Sequence, residues 1–471
     1  MRVRLNCGAW ARNTWAGMAS ATICYAEYMG LGAVIGPTLL GYGDQSKSVG
    51  TLLVLLAASV SCVIWGCRNT AFLAGPRGAS LSVLALLMMW LQTHFALNAA
   101  QQLPMLCAIM LGVAAALWLS SAPRLQRLLD TLPAWLVPSF IYSSAICIAA
   151  NAISKYIYGC LQLSAWQTWG IYLLATLTGV LMPISCKHAA LRYAQRSPAI
   201  ATMFSALQGT SMLVGAGIAW WGYSLSSLHS SSGGLCARLG TVELELHTLA
   251  ERIHTLFLTS HWTALAVPLL CALCVGLAAG IVVVIESRTA LQTLEGVAPA
   301  GMPAGTKLVP SKPVALRTLG TVHLLLGGLT TAPAPISQSR TQLLWALGGC
   351  APIAAMLHGI SLLVIAWVAS PWLAWLPQLS LAVLMTLIAI HMVSPNVIAI
   401  WRNAYNPHIA PGVGLRAGIG LWLVIAITAL TGQVLIAFLL PAAIYGIFHL
   451  WRSQRIHWKK SKRVLNQSLK S

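Results

Sequence analysis

Long apolar stretches, each about the length of a membrane-spanning helix, alternate with short polar connections along the chain. A helix needs roughly 20 apolar residues to cross the hydrocarbon core of a bilayer, and the chain has 471 residues. The pattern predicts an all-α polytopic membrane protein with fourteen transmembrane segments. The predicted segments lie at about 16–36, 49–66, 70–92, 104–120, 132–152, 166–185, 200–222, 263–285, 314–332, 336–349, 350–370, 372–392, 413–431 and 432–450.

The composition excludes most other classes of protein. Hydrophobic residues make up 58% of the chain, charged residues only 8%, and the mean hydropathy is +0.77. A globular protein has about 25% charged residues, and a disordered chain lacks this much apolar surface. The net charge of +20 lies on an apolar chain rather than on polar basic patches, so we expect no nucleic-acid partner.

The cations predict the orientation in the membrane. If the N-terminus is cytoplasmic, most of the 28 Lys and Arg residues fall in cytoplasmic connections, as the positive-inside rule requires. This orientation needs an even number of crossings and places both termini in the cytoplasm. The N-terminus MRVRLNCGAWARNTW has no cleavage site after a short apolar core, so we do not expect a cleaved signal peptide. The expected location is the inner or plasma membrane, in contact with membrane lipids.

Two connections are longer than the others. The external connection at 223–262 contains TVELELHTLAERIHTLF, which fits either a helix lying on the membrane surface or a solvated loop. The connection at 295–313 is rich in Gly and Pro and is predicted to link two halves. The predicted organisation is a first half at 1–222, the external loop, a second half at 263–450 and a basic cytoplasmic tail at 451–471.

Two glutamates lie in or at the end of apolar stretches. Glu27 lies in ATICYAEYMGLGAVIG and Glu286 in GIVVVIESRTA. A carboxylate within the membrane costs several kcal/mol unless it is paired, protonated or hydrated, so both are functional candidates. The structural alternatives are a Glu286 at a helix end, paired with Arg288, and a Glu27 capped by the hydroxyls of Tyr25 and Tyr28.

Two apolar stretches are interrupted by proline. Gly75-Pro76 interrupts NTAFLAGPRGASLSVL, and Pro333 and Pro335 interrupt GGLTTAPAPISQSRTQ. Because proline lacks an amide N–H and excludes the helical conformation at the residue before it, each span should begin extended and continue as a helix. The two helices should open at Arg77-Gly78-Ala79-Ser80 and at Ile336-Ser337-Gln338-Ser339-Arg340.

Such helix starts can bind anions. Each presents unpaired amides and the positive end of a helix dipole within the membrane, and paired interrupted spans in two halves indicate the substrate site of a transporter. The third and tenth spans correspond if the chain is seven segments plus seven, and the second half is then inverted because seven is odd. Arg77 and Arg340 would either add positive charge there, pair with a glutamate or extend to the membrane surface.

The remaining motifs indicate neither catalysis nor metal binding. Cys271 and Cys274 have CxxC spacing but lie in an apolar helix, where small core residues are the simpler interpretation. The histidines lack metal-ligand spacing, and the sequence has neither a phosphate-binding loop nor a set of catalytic residues. We therefore expect no enzymatic activity, no metal site and no cofactor.

The chain resembles the SulP family of sulfate permeases and related anion transporters. LRTLGTVHLLLGGLTTAPAPISQSRTQLLWALGGCAPIAAMLHGISLLVIAWVASPWLAWLPQLSLAVLMTLIAI is similar to the ninth to twelfth spans of that family. VVVIESRTALQTLEG is similar to its eighth span, and WGCRNTAFLAGPRGASLSVL to its third, where Gly-Pro opens a half-helix. The resemblance covers residues 16–450 in order.

The resemblance implies a fold and a site. The fold is a 7+7 inverted repeat with half-helices in segments 3 and 10, a core domain of spans 1–4 and 8–11, a gate domain of the remaining spans, and a homodimer formed through gate helices. The anion would bind between the two half-helices. Ser337, with the backbone amides of Ser337 to Ser339, matches the anion-coordinating stretch, and Ala79 and Ser80 lie on the opposing helix start. Glu286 matches the acid associated with cation coupling.

The sequence departs from the family in three places. Gln338 stands where a basic residue is frequent, although Arg340 lies two positions on, and Arg77 stands where a small or polar residue is common. Family members usually continue into a cytoplasmic STAS domain, whereas this chain ends shortly after its last predicted span, so we expect no such domain.

These observations predict a secondary transporter of a small anion, such as a sulfate-like inorganic anion, bicarbonate or a dicarboxylate. It would work by alternating access and be coupled to protons or sodium through Glu286 and Glu27. One alternative is a nucleobase–cation symporter of the same fold, which would need a carboxylate in the tenth span as well as the eighth. Another is an uncoupled anion channel or a non-transporting membrane protein. The predicted substrate-binding residues are Ser337, Gln338, Ser339, Arg340, Arg77, Ala79 and Ser80.

Overall fold

The computed structural model describes most of the predicted spans as helices. The described residues are 7–40, 44–97, 99–130, 165–193, 214–222, 262–295, 309–373 and 378–392, with the isolated positions 142, 145–146, 149–150, 153, 211, 224, 419 and 423. The only strand-like pairing in these ranges is one antiparallel bridge between Ala74 and Ile336. The helices are α1 (Cys7–Leu40), α2 (Asp44–Cys67), α3 (Gly78–Phe95), α4 (Ala99–Ser120), α5 (Pro123–Asp130), α6 (Ala165–Tyr193), α7 (Trp262–Glu295), α8 (Lys312–Gly328), α9 (Gln338–Ala346), α10 (Pro352–Leu373) and α11 (Gln378–Met392).

The helical character confirms the predicted all-α class. Within the described ranges, four helical windows are long and apolar enough to cross a membrane: Val49–Cys67, Gln101–Ser120, Thr168–Cys186 and Leu265–Glu295. The predicted segments at 413–431 and 432–450 and the tail fall almost entirely outside the described residues, as do the external loop and most of 132–152. The count of fourteen, the inverted repeat and the domain boundaries therefore stay predictions.

The helix that contains the predicted eighth span extends beyond position 285. Helix α7 continues to Glu295, two to three turns beyond the apolar stretch. Its last turns carry buried Ala290, Leu291 and Leu294 on one face, which is the spacing of an amphipathic helix, so polar residues on the other face lowered the hydropathy without ending the helix. Glu286 consequently lies inside a helix rather than at its end.

The chain divides into two compact units, of which one contains nearly all the described residues. That unit comprises Met1–Gln126 and Ile148–Met392, and the other comprises Arg127–Cys147 and Val393–Ser471. Every contact described below lies within the first unit.

Small residues bring the long helices of this unit into close contact. Helix α7 packs along α4, and a Cβ atom on Gly276 would overlap the carbonyl oxygen of Ile109. On the facing helix, a Cβ on Gly112 would overlap the carbonyl oxygen of Leu273. Close approach of backbones through glycine is a usual means of helix association in membranes, and it makes α4 and α7 a tightly packed pair.

The two short helices α3 and α9 lie among these long helices. Helices α1, α2 and α10 pack on one another, while α3 and α9 both contact α1 on one side and α7 on the other. Side chains of α1 and α7 can therefore reach the starts of α3 and α9. This packing brings both membrane-embedded glutamates, one from α1 and one from α7, toward the same place.

Candidate functional site

Two extended segments meet at the centre of the unit, one leading into α3 and the other into α9. Their meeting point is the antiparallel bridge between Ala74 and Ile336. The amide of Gly75 donates a hydrogen bond to the carbonyl oxygen of Pro335 at 3.0 Å. Because the two segments are antiparallel, the chain leaves the bridge in opposite directions. Helices α3 and α9 therefore begin on opposite sides of the bridge.

Both helix starts present backbone amides that the fold does not use. Helix α3 follows Arg77, which is extended with φ −125° and ψ 155°, and α9 follows Ser337, with φ −103° and ψ 111°. Neither of these two side chains caps its helix. Among the described residues, the amides of 78–80 and 338–340 have no backbone acceptor. These are the unpaired donors that give a helix N-terminus its affinity for anions.

The expectation that the Ser337 amide coordinates an anion is wrong. That amide donates to the carbonyl oxygen of Leu73 at 2.9 Å, because it belongs to the hydrogen-bond pattern of the bridge. The Ser337 hydroxyl is fully buried and lies 3.5 Å from the Ser339 hydroxyl. Ser337 can therefore contribute its hydroxyl, while Gln338 and Ser339 contribute the amides of the first turn.

Side chains of α9 hold the segment that leads into α3. The amide of Leu73 donates to the hydroxyl of Thr341 at 3.1 Å, and the guanidinium of Arg340 donates to the carbonyl oxygen of Pro76 at 2.9 Å. All these atoms are buried. These two bonds hold the start of α9 against the extended segment that precedes α3.

Arg340 forms a two-point ion pair with Glu27 of α1. Its Nε donates to Oε2 at 3.0 Å and its Nη2 to Oε1 at 2.6 Å, and the guanidinium lies 4.1 Å from the centre of the Tyr28 ring. The side chain of Arg340 is 2% exposed and that of Glu27 is 23% exposed. Of the alternatives for this arginine, pairing with a glutamate is the one observed. The remaining Nη1 has no partner among the described residues.

The interpretation of Glu27 as an acid capped by tyrosine hydroxyls is wrong. Its carboxylate oxygens bind Arg340, and the buried hydroxyls of Tyr25 and Tyr28 have no hydrogen-bond partner within the part of the chain that the structure describes. The ring of Tyr28 instead stacks under the guanidinium, an arrangement favoured by the negative face of an aromatic ring.

Glu286 of α7 faces the start of α3. It is 2% exposed, the Ser80 hydroxyl lies within hydrogen-bonding reach of its carboxyl, and Arg77 and Arg340 are close enough to attract it. Its Oε2 has no partner among the described residues. Its position inside α7 excludes the helix-end interpretation, and Arg288 donates to the carbonyl oxygen of Gln126 at 3.4 Å.

The structure therefore gathers the predicted site residues around two helix starts. Arg77, Ala79 and Ser80 lie at the start of α3, and Ser337 to Arg340 at the start of α9. Sequence reasoning missed two hydrogen bonds that hold the segment before α9, from Ala334 to His323 and from Ile336 to Ser287. The signal that could have found them is the Pro-Ala-Pro-Ile run, which leaves two amides that need acceptors.

Comparisons with known proteins identify the fold. No protein-family model and no curated protein matches the chain. Solved structures do match: the transmembrane domain of a cyanobacterium bicarbonate transporter, BicA, has a TM-score of 0.59 at 13% identity, over 93% of this chain and 98% of that one. A structure of SLC26A9 has a TM-score of 0.58 at 13% identity, over 94% of this chain and 66% of that one.

A third structure matches to the same extent. The murine Slc26a9 anion transporter in the inward-facing state has a TM-score of 0.61 at 11% identity, over 96% of this chain and 70% of that one. These neighbours are transporters, not enzymes. At such low identities the likeness shows the fold, and it confirms the SulP resemblance at that level. The chain is a multi-pass membrane protein with the fold of the SulP/SLC26 anion transporters.

Proposed function

We propose that the protein is a secondary transporter of a small anion, which binds between the starts of α3 and α9. The observation that carries this proposal is the pair of helix N-termini with unused amides, held on opposite sides of the Ala74–Ile336 bridge. The positive ends of the two helix dipoles lie on either side of the same bridge, and both favour the binding of a negatively charged ligand. The fold shared with anion transporters supports the same conclusion.

The side chains around the two helix starts suit a small, strongly hydrated anion. The hydroxyl of Ser337 and the unpaired Nη1 of Arg340 add donors to the amides of 78–80 and 338–340. Hydrogen bonds from an arginine to an anion are about twice as strong as those between neutral groups. We therefore expect sulfate-like anions, bicarbonate or dicarboxylates as substrates.

The charges at the site support coupling to a cation. Arg340 and Glu27 neutralise each other, and Arg77 lies close enough to Glu286 to offset its charge, so a bound anion adds uncompensated negative charge, one charge for bicarbonate and two for sulfate. Binding a proton or sodium ion at Glu286 removes one of these charges, each of which is costly within the membrane. We propose that anion and cation enter together for this reason.

The burial of Glu286 favours a proton as the coupling ion. Its side chain is 2% exposed, and its Oε2 has no partner among the described residues. A carboxylate in such a place is costly within the membrane, and protonation removes its charge. The Ser80 hydroxyl, which lies 3.1 Å from the carbonyl oxygen of Arg77, can turn to donate to a Glu286 carboxylate or accept from a protonated carboxyl.

The nucleobase alternative lacks its recognition group. A symporter of that kind would present a carboxylate from the tenth span, and α9, with the sequence QSRTQLLWA, contains none. Cytoplasmic termini, an inner or plasma membrane location and a homodimer remain part of the proposal.

Uptake into proteoliposomes tests the proposal. Purified protein is assayed with radiolabelled sulfate, bicarbonate and dicarboxylates, with and without an inward proton gradient. We expect uptake of at least one anion, faster with the gradient, and loss of uptake in Arg340→Gln. If no anion is transported with or without the gradient, the proposal is contradicted. If the rate of uptake is the same with and without the proton gradient and uptake generates an electrical current, the protein is a channel.

Glu286→Gln tests the coupling role. Gln keeps the shape of the side chain and a donor for Ser80 but cannot gain or lose a proton. We expect anion binding to persist while the acceleration by the proton gradient disappears. Glu295→Gln, at the exposed end of the same helix, is the matched control. An unchanged gradient dependence in Glu286→Gln would remove Glu286 from this role.

A further inference from the structure

Residues 333–336, which lie in the segment that leads into α9, have only two backbone donors. Residues 333–336 read Pro-Ala-Pro-Ile, and proline has no amide N–H. The donors are therefore the amides of Ala334 and Ile336. Both residues are completely buried, so their amides must find acceptors within the protein rather than in water.

Both donors bind side chains of neighbouring helices. The amide of Ala334 donates to Nε2 of His323 on α8 at 3.0 Å, and the amide of Ile336 donates to the hydroxyl oxygen of Ser287 on α7 at 3.3 Å. His323 and Ser287 are themselves completely buried. Residues 333–336 are thus held from two different helices, through the two amides that they have.

The partners of His323 determine its tautomer. Nδ1 lies 2.8 Å from the carbonyl oxygen of Leu319, four residues earlier on α8. A carbonyl oxygen only accepts, so Nδ1 must carry the proton, whereas Nε2 receives the amide of Ala334 and must present a lone pair. The ring is therefore neutral with its proton on Nδ1, and both nitrogens are satisfied. The bond to Leu319 orients the ring toward the segment.

We propose that His323 is a positioning residue of the anion site. By accepting the amide of Ala334, it holds the segment at the distance from α8 that places the start of α9 beside the start of α3. The inference rests on the proposed function for its effect on transport, but the hydrogen bond itself can be tested without transport. When the segment occupies its position only part of the time, apparent affinity for the anion falls by the same fraction.

Hydrogen exchange tests the contact directly in the full-length protein. Because 333–336 contains two exchanging amides, mass spectrometry with single-residue fragmentation can follow each one. We expect both amides to be protected in the wild type. In His323→Phe the Ala334 amide should exchange about tenfold faster, with a smaller change at Ile336. In Ser287→Ala the Ile336 amide should show the larger increase in exchange rate and the Ala334 amide the smaller one. Fast exchange of Ala334 in the wild type, or no change in His323→Phe, overturns the proposal.

Transport kinetics test the positioning role. In His323→Phe we expect KM for the transported anion to rise about tenfold with a smaller change in maximal rate. His323→Gln should return KM to within about twofold of the wild type, because its side-chain oxygen can accept the Ala334 amide. His188→Phe is the control, since the ring of His188 is exposed and, among the described residues, hydrogen-bonds to a carbonyl oxygen four residues earlier on its own helix α6.

The two measurements separate the possible failures. An unchanged KM in His323→Phe, or a Gln variant as impaired as the Phe variant, contradicts the positioning role. If the wild type transports none of the tested anions, the proposed function fails, and the exchange experiment still decides whether His323 holds the segment. Protection of the amides in α4 and α6 shows that a variant has folded, so a general loss of structure is recognised.

Discussion

Replacing Glu27 by Gln removes the charge opposite a deeply buried arginine. Arg340 is 2% exposed and is held by both oxygens of Glu27. In Glu27→Gln the guanidinium of Arg340 can still donate to the carbonyl oxygen of Pro76, which lies at 2.9 Å, and to the side-chain oxygen of the new Gln. The buried positive charge of the guanidinium persists in this variant, because arginine stays protonated in proteins.

The structure sets the expected size of this effect. Breaking a buried ion pair by removing one partner costs about 3–5 kcal/mol. Two features lower that figure here: Glu27 is 23% exposed, and Gln retains an acceptor. We expect the free energy of unfolding to fall by about 2 kcal/mol, which is the range of a hydrogen bond to a charged group.

A double-mutant cycle isolates the pair. The free energy of unfolding is measured in mixed micelles for the wild type, Glu27→Gln, Arg340→Gln and the double variant, with the exposed Glu295→Gln as the control. We expect a coupling energy of about 2 kcal/mol and a change below about 0.5 kcal/mol in the control. Anion binding should survive in Glu27→Gln, since the arginine remains, and be lost in Arg340→Gln. Additive effects of the two substitutions, or a Glu27→Gln variant as stable as the control, would refute the reasoning.

Two further predictions concern glycines at close contacts. In Gly75→Ala the new Cβ would overlap the hydroxyl of Tyr28, so we expect a loss of about 1–3 kcal/mol in unfolding free energy that Tyr28→Phe partly restores; a Gly75→Ala variant of unchanged stability would contradict this. In Gly276→Val the side chain would meet the carbonyl oxygen of Ile109, and thermal unfolding should occur at a lower temperature, whereas Gly170→Val, in open space, should unfold like the wild type.

The extended backbone before α3 and α9 could be predicted because its cause is local. Proline removes a donor and restricts its neighbour wherever it stands, so Pro76 and Pro335 indicated extended backbone before each helix. Long apolar stretches likewise indicated the helical class. The end of α7 was missed because its last turns are amphipathic rather than apolar, a pattern that a hydropathy average does not distinguish from a connection.

The pairing of charges could not be predicted because it depends on packing. Glu27 and Arg340 are 313 residues apart, and either could have paired with another group or reached the membrane surface. The role of His323 was missed for a related reason. A single histidine in an apolar helix has no spacing signal, and its partner Ala334 becomes recognisable only when the amides of the segment are counted and their acceptors sought.

The hydrogen bonds at the bridge also limit how the site can open. Parting the two helix starts would break the bond from Gly75 to Pro335 and that from Leu73 to Thr341, and each buried group left without a partner costs about 1–3 kcal/mol. With the Arg340 contacts added, separation would be costly in every transport cycle. We infer that the starts of α3 and α9 move together and that access to the anion changes by displacement of both. The amides of 333–336 should then stay protected from exchange during turnover, and faster exchange in the presence of transported anion would contradict this.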